Sequence, residues 1–309
     1  MASTPDSPQP SAKKTPAEAT AGDVLMDYLR LQIAEFHNQA PRVQANEPDA
    51  VHQLRMSTRR LRSALTTGKG LFDDGDGSLA DIRAGLKWLS GVLGKARDPE
   101  VIRDRLEVLL QQQPAELAEA SAHQRLSKML DDAAAEGRER VLGALDSERY
   151  ARLVRALSRV EAAPSQSAKA ARPPRKAMLK LMAKEVRRLR RRARVLNMQD
   201  LQNVDGVRDI ALHEVRKAAK RVRYAAEAAS PVAGKRVAKL EKSAHSIQKT
   251  LGLHQDSVVA RALLVALGAR ASADAGNGFT FGRLHALEEH LASESEEAFF
   301  EAWKRFPEP

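Results

Sequence analysis

His52-Gln53-Leu54-Arg55-Met56-Ser57-Thr58-Arg59-Arg60-Leu61-Arg62 and His213-Glu214-Val215-Arg216-Lys217-Ala218-Ala219-Lys220-Arg221-Val222-Arg223 share one pattern at an offset of 161 residues. The pattern is His-x-(Leu/Val)-Arg-x-x-x-(Arg/Lys)-Arg-(Leu/Val)-Arg. On a helix turning about 100° per residue, His52, Arg55, Arg59 and Arg62 fall at roughly 0°, 300°, 340° and 280°. Leu54, Thr58, Leu61 and Leu65 fall at roughly 180–240°. Each copy therefore predicts a helix with an apolar back and a narrow cationic front bearing one histidine. Such a front is a candidate polyanion site, and the chain encodes it twice.

A second landmark repeats in the same order. Leu93-Gly94-Lys95-Ala96-Arg97-Asp98 and Leu251-Gly252-Leu253-His254-Gln255-Asp256 share Leu-Gly-x-x-x-Asp, and His-to-Asp spacing is 46 residues in one half and 43 in the other. Two ordered landmarks at nearly equal spacing predict a duplicated unit of about four helices.

Composition agrees with a helical chain. Hydrophobic residues make up 43% but aromatics only 4%, and Ala, Leu, Arg, Lys and Glu dominate. Net charge is +11, which points to a nucleic acid, a membrane surface or a phosphate polymer as partner. The charge is uneven: residues 1–163 carry 23 Lys and Arg against 24 Asp and Glu, while residues 164–309 carry 28 against 16. With no cysteine, disulfides, thiolate-bound zinc and thiol catalysis are excluded.

Residues 1–21, rich in Pro, Ser, Thr and Ala, read as a disordered tail without the apolar segment of a secretory signal. No run of about 18 apolar residues predicts a membrane span. Repeat one is expected over 22–162, a linker over 163–174 (Pro-Ser-Gln-Ser-Ala-Lys-Ala-Ala-Arg-Pro-Pro from Pro164) and repeat two over 175–305. Helices are expected from Asp23 to about Gln44, through the first front to Gly68, from Ser78 to Leu93, and anew from Asp98-Pro99. In this reading Asp98 and Asp256 are helix N-caps. Asn46 or Asp49 caps the first basic helix, Gly137 breaks a long polar helix, and Pro231 marks a junction before two further helices. A last helix of about 25 residues follows Gly278. No stretch alternates as a strand would.

The paired basic helices, Lys220-Arg221-Val222-Arg223-Tyr224 and the two Leu-Gly-x-x-x-Asp segments resemble the CHAD family, the conserved histidine α-helical domain, over roughly 22–305. The resemblance implies an all-α fold of two related helical bundles with pseudo-two-fold symmetry and a basic central groove or channel. It also implies binding of inorganic polyphosphate, association with polyphosphate granules in the cytoplasm, and no catalysis. Matched residue by residue, the binding positions are His52, Arg55, Arg59 and Arg62 in repeat one, and His213, Arg216, Lys220, Arg223 and Tyr224 in repeat two. Repeat one departs at Met56, Ser57 and Ser63, where repeat two has Lys217, Ala218 and Tyr224, which marks the first site as the weaker. The Glu-x-Glu-x-Lys of the triphosphate-tunnel barrel, often fused to this family, does not occur, so no activity is borrowed from it.

A phosphate polymer needs repeated donors and positive charge, which the forked guanidinium of Arg supplies, and nearby anion charge favours a protonated histidine. The alternatives are a solvated face for the arginines and a buried, bonded ring for the histidines; duplication of the stripe argues against the first. A third front on the helix from Arg175 to Leu196 carries Arg187, Arg190, Arg191 and Arg194, with Arg188 and Arg192 on a solvated flank. If that helix packs beside the second basic helix, the fronts merge. The rival class is a non-specific nucleic-acid binder. Reading sequence takes base-edge side chains and single strands take stacking aromatics, whereas these fronts carry Tyr224 alone and no Asn. No ligand spacing for a metal or cofactor is found on the fronts. The carboxylates Asp73, Asp74 and Asp76, clustered in one Gly-rich loop, lack the twelve-residue calcium spacing that ends in Glu, so phosphoester chemistry is not expected. Polyphosphate is the expected partner, with granule-associated proteins beside it, no membrane, and nucleic acid only as a non-specific competitor.

Overall fold

The computed structural model describes residues 19–308 except 76, 115, 116, 118, 119, 163, 199–205 and 275. Most of the expected N-terminal tail, residues 1–18, lies outside the described residues. Among the described residues the chain forms nine α-helices, one 3-10 turn and no strand beyond a single bridge between Phe72 and Gln166.

Helix α1 (Ala21–Gln44) starts at a capping box. The Thr20 hydroxyl accepts from the Asp23 amide at 3.2 Å and the Asp23 carboxylate accepts from the Thr20 amide at 2.9 Å, satisfying two donors that a helix start leaves open. Helix α2 (Ala50–Thr67) carries the first cationic front. Asp49 stands at its cap position with φ of 62° and makes no cap hydrogen bond; its carboxylate accepts instead from Gln53 Nε2 at 2.7 Å.

Helix α3 (Ser78–Gln111) runs unbroken through Asp98 and Pro99, and α8 (Lys235–Ala273) runs unbroken through Asp256. Neither Asp is an N-cap, and one helix stands where two were expected after Pro231. The reason is packing. An interior proline costs about 3 kcal/mol or more, but apolar burial on both sides keeps α3 one continuous helix. Its first half buries Leu86, Leu89 and Leu93 in a core built by repeat one. Its second half buries Ile102, Leu106 and Leu109 in a different core. Helix α8 does the same, with Leu240, Ile247 and Leu251 in the core of repeat two and Ala260, Leu264 and Leu267 in that shared core.

Helices α4 (Ala120–Leu145) and α5 (Glu148–Ala162) are separated at Asp146-Ser147, not at Gly137. The Ser147 hydroxyl accepts from the Tyr150 amide at 3.2 Å and starts α5. Gly137 serves a helix crossing: a β-carbon there would stand 2.8 Å from Ala96 Cα. The expected linker is strapped down on both sides. Ala170 and Arg172 carbonyls accept from Gly22 and Ala21, and Ser165 and Ser167 bond to Asp73 and Leu71.

Helices α6 (Pro174–Met198), α7 (Val207–Ala233), α8 and α9 (Phe279–Lys304) then repeat the packing order of α1 to α4, each on its successor. Pro231 lies inside α7 rather than at a junction. Three cores result: one per repeat, and a third shared by α3, α4, α8 and α9. The shared core is clamped by Arg105, whose guanidinium donates to both oxygens of the fully buried Glu288 at 2.7 Å each. No described helix is long and apolar enough to cross a membrane.

Candidate polyanion-binding seam

The two cationic fronts meet where α2 packs against α7. Each turns its apolar side inward: Leu54, Leu61 and Leu65 on α2 and Leu212, Val215 and Val222 on α7 are buried. The opposite sides form a common seam. Arg55 and Arg59 from α2 lie in the electrostatic field of Arg216 and Lys220 from α7, and Arg59 also lies near Arg223.

The two Leu-Gly-x-x-x-Asp segments line this seam from α3 and α8, at the point where each long helix passes from one core to the next. The Arg55 guanidinium lies against Gly94, and Arg216 against Gly252; a β-carbon on either glycine would touch it at 3.7 Å. Arg55 Nη1 also reaches Asp98 Oδ1 at 3.3 Å. Asp256 faces Arg216, Lys220 and Arg105, and burial together with nearby Asp98 pushes its carboxyl above the usual range against those cations. The two glycines and two aspartates thus line the seam. Their signal was the repeat itself, since an N-cap role would not require the glycine four residues earlier.

Lys220 is only 8% exposed. Burial, then Arg59, Arg216 and Arg55, push its ammonium down to about 5, with Asp256 opposing. Burial likewise lowers the guanidinium pKa of Arg59, Arg216 and Arg62 from the ordinary value, and neighbouring arginines add to it. Such shifts mark crowded cations short of counter-charge. The Arg216 Nε is buried without a hydrogen-bond partner.

Both histidines flank the seam and both are pushed down, first by burial. Arg97, Arg55 and Arg59 add to the effect at His52, with Asp49 opposing. Lys217, Arg216 and Lys220 add to it at His213, whose Nδ1 pairs with Gln255 Oε1.

Other predicted positions are placed differently. Arg223 is engaged by Glu227 at 3.0 Å, and the same carboxylate accepts from Arg60 and from the Tyr28 hydroxyl. Tyr224 is 4% exposed, and its buried hydroxyl has no hydrogen-bond partner. Its ring lies beneath Arg223 at 5.8 Å, and it stays in the field of Arg59, Arg62 and Arg216 at the floor of the seam.

On α6, Arg187, Arg191 and Arg194 are exposed, and Arg190 donates to the Pro307 carbonyl at 2.8 Å. The residues turned toward α7 are the two assigned to a solvated flank. Arg188 is close enough to Arg221 to depress its pKa, and Arg192 pairs with Glu214 at 3.6 Å. The wheel ranks angles from the core but does not say which flank the neighbouring helix occupies. Among the described residues no cluster of three His, Asp or Glu could hold a metal ion.

A duplicated helical unit with two cationic fronts joined at one seam defines the class of protein. The chain belongs to the CHAD domain family, whose sequence model matches residues 27–265. It is 35% identical over 293 residues to the uncharacterized proteins MT2285 and Rv2226 of two Mycobacterium tuberculosis strains. The match covers 95% of this chain and 53% of each relative, so the chain spans about half the length of the curated relatives it matches. Among solved structures it is similar to PptA from Streptomyces chartreusis, with TM-score 0.76 and 24% identity over 93% of this chain and 100% of that one. It is also similar to the CHAD domain from the plant Ricinus communis, with TM-score 0.67 and 24% identity over 93% of this chain and 92% of that one. These likenesses show the fold.

Proposed function

We propose that the α2–α7 seam binds inorganic polyphosphate, that this binding brings the protein to polyphosphate granules in the cytoplasm, and that no catalysis accompanies it. The observation that carries the reading is Lys220, an amine buried among Arg55, Arg59 and Arg216 with Asp256 as its opposing charge. A linear anion threaded along the seam supplies the missing counter-charge to both fronts at once. The fork of each guanidinium suits phosphate oxygens.

Nucleic acid fits less well. Stacking on single strands needs exposed aromatic faces, and the one aromatic on the fronts, Tyr224, is buried.

The test is competition in moderate salt between long-chain polyphosphate and duplex DNA at equal phosphate concentration. It is run on the wild type, on a triple variant Arg59→Ala, Arg216→Ala, Lys220→Met, and on a control variant Arg138→Ala, Arg140→Ala, Arg149→Ala. The expected result is that polyphosphate wins the competition, the seam variant loses most binding, and the control keeps it. Equal losses in both variants would mean that net charge alone attracts the polymer. A fluorescent fusion of the seam variant should likewise leave the granules.

A further inference from the structure

Helix α6 carries a second cationic feature that the seam does not absorb. Its 25 residues hold ten Lys and Arg and a single acid, Glu185, which is buried at 3% exposure. Taking Lys176 as zero, Lys180, Lys184, Arg187, Arg191 and Arg194 fall at roughly 40°, 80°, 20°, 60° and 0°. The buried Met178, Met182, Val186, Leu189 and Ala193 centre on the opposite side, near roughly 240°. All six cations are exposed and form one straight ridge about 27 Å long.

Such a ridge works against the helix that carries it. Like charges at i,i+3 and i,i+4 destabilise a helix by about 0.2–0.5 kcal/mol per pair, and Lys176–Lys180, Lys180–Lys184, Lys184–Arg187 and Arg187–Arg191 are such pairs. Among the described residues the ion pair of α6 is Arg192 with Glu214, on the flank facing α7. The ridge itself is left without carboxylates.

The ridge is joined to the seam through α7, which packs against α2 on one side and α6 on the other. Arg62 feels both Arg59 within the seam and Arg221 on α7, and Arg221 feels Arg188 on α6, with Glu185 and Glu214 beside it. Arg188 falls at roughly 120° on the α6 wheel, next to Lys184 and Arg191. A cationic path therefore leads from Arg59 through Arg62, Arg221 and Arg188 onto the outside of α6.

We infer that α6 is an exit track for the polymer held in the seam, so that chains long enough to leave the seam gain contacts on Lys180, Lys184, Arg187 and Arg191. This rests on the seam reading and adds a chain-length preference with a named cause. The observations favour the same polymer over a separate ligand because α7 joins the seam to α6 and the exposed ridge carries no acid. A flexible chain can turn from seam to ridge, which a stiff duplex cannot.

The test is a quadruple variant of the full chain, Lys180→Gln, Lys184→Gln, Arg187→Gln, Arg191→Gln. Glutamine is a good helix former at exposed sites, and helicity is checked by circular dichroism. Affinity is measured for long-chain polyphosphate and for an oligophosphate that spans only Arg55 to Arg62, about 10 Å along the helix. A matched control replaces Arg138, Arg140, Arg152 and Arg155 with Gln.

The expected result is at least a tenfold loss for the long chain and no change for the short one. The slope of log affinity against log salt for the long chain should drop by about 3, at about 0.7 per lost phosphate contact. Unchanged affinity at both lengths, or losses at both lengths matching the control, overturns the track. So does a variant that keeps long polyphosphate but loses duplex DNA or anionic vesicles, which would assign α6 to another partner. A wild type that binds neither length overturns the seam reading itself, and is recognised by that.

Discussion

Arg55 Nη1 on α2 stands 3.3 Å from Asp98 Oδ1 on α3, so the seam holds one of its own arginines with an internal carboxylate. In the second repeat Asp256 lies in the field of Arg216 and Lys220. These acids supply counter-charge to the seam that a bound anion, on the proposed function, would replace. They also sit one helical turn beyond the glycines on which the two guanidiniums rest.

Asp98→Asn should tighten polyphosphate binding. The pair is partly exposed, with side chains at 24% and 57%, and such pairs contribute about 0–1 kcal/mol. Up to about fivefold tighter binding follows, read by fluorescence titration at fixed salt. Weaker binding would show that Asp98 orients Arg55 rather than competing for it.

Lys220 makes a pH prediction with a definite sign. Its ammonium is pushed down to about 5 in the folded protein, whereas an unfolded chain keeps that proton up to about 10.4. Between these values the unfolded state holds the extra proton, so stability of the empty protein rises with pH. Lys220→Met should flatten that rise and raise the melting temperature near neutrality, since it removes a buried amine crowded by Arg55, Arg59 and Arg216.

Bound polyanion reverses the balance. It favours the charged forms of Lys220, His52 and His213, so binding takes up protons and affinity falls as pH rises. Asp98 and Asp256 line the same seam, and Asp256 bears a raised pKa, so part of any uptake at the acid end belongs to them. Calorimetry in buffers of different ionisation heat measures the uptake. Zero uptake near neutrality, with binding intact, would refute the buried neutral amine.

Arg105→Ala should cost about 3–5 kcal/mol, because it leaves the fully buried Glu288 carboxylate without its guanidinium. The double change Arg105→Met, Glu288→Leu should recover most of it. Urea denaturation checks both, and a loss below 1 kcal/mol would mean that the pair does not hold the shared core together.

Gly137→Ala should destabilise by about 1–3 kcal/mol, as overpacking of a tight contact does. Its β-carbon would stand 2.8 Å from the Ala96 backbone, which cannot swing aside as a flexible side chain would. Gly143→Ala, on the same helix with open space around it, is the control and should be neutral or stabilising.

The all-α class, the two cationic helices and most helix starts were legible in the sequence because they depend on local periodicity. Leu54, Leu61, Val215 and Val222 are buried as their spacing requires. Local signals misled where two cores share one helix. Asp98-Pro99 has the chemistry of a helix start, yet burial of Leu93 on one side and Ile102 on the other carries α3 straight through. Gly137 reads as a breaker only if the backbone of Ala96 lying against it is unknown.

The sequence by itself determined what each helix could offer: an apolar side, a cationic side and their duplication, since 3.6-residue periodicity and side-chain charge are properties of the chain alone. The tertiary structure decided which of those charges meet. Burial and proximity across α2 and α7 turn Lys220 from an ordinary surface cation into an amine depressed to about 5, and bring Asp98 and Asp256 from presumed caps to the seam. They also bury Tyr224 beneath the seam arginines and make Arg188, not Arg190, the link to α6. Fields between charges depend on distance and on the water excluded between them, and both are set only when the helices pack.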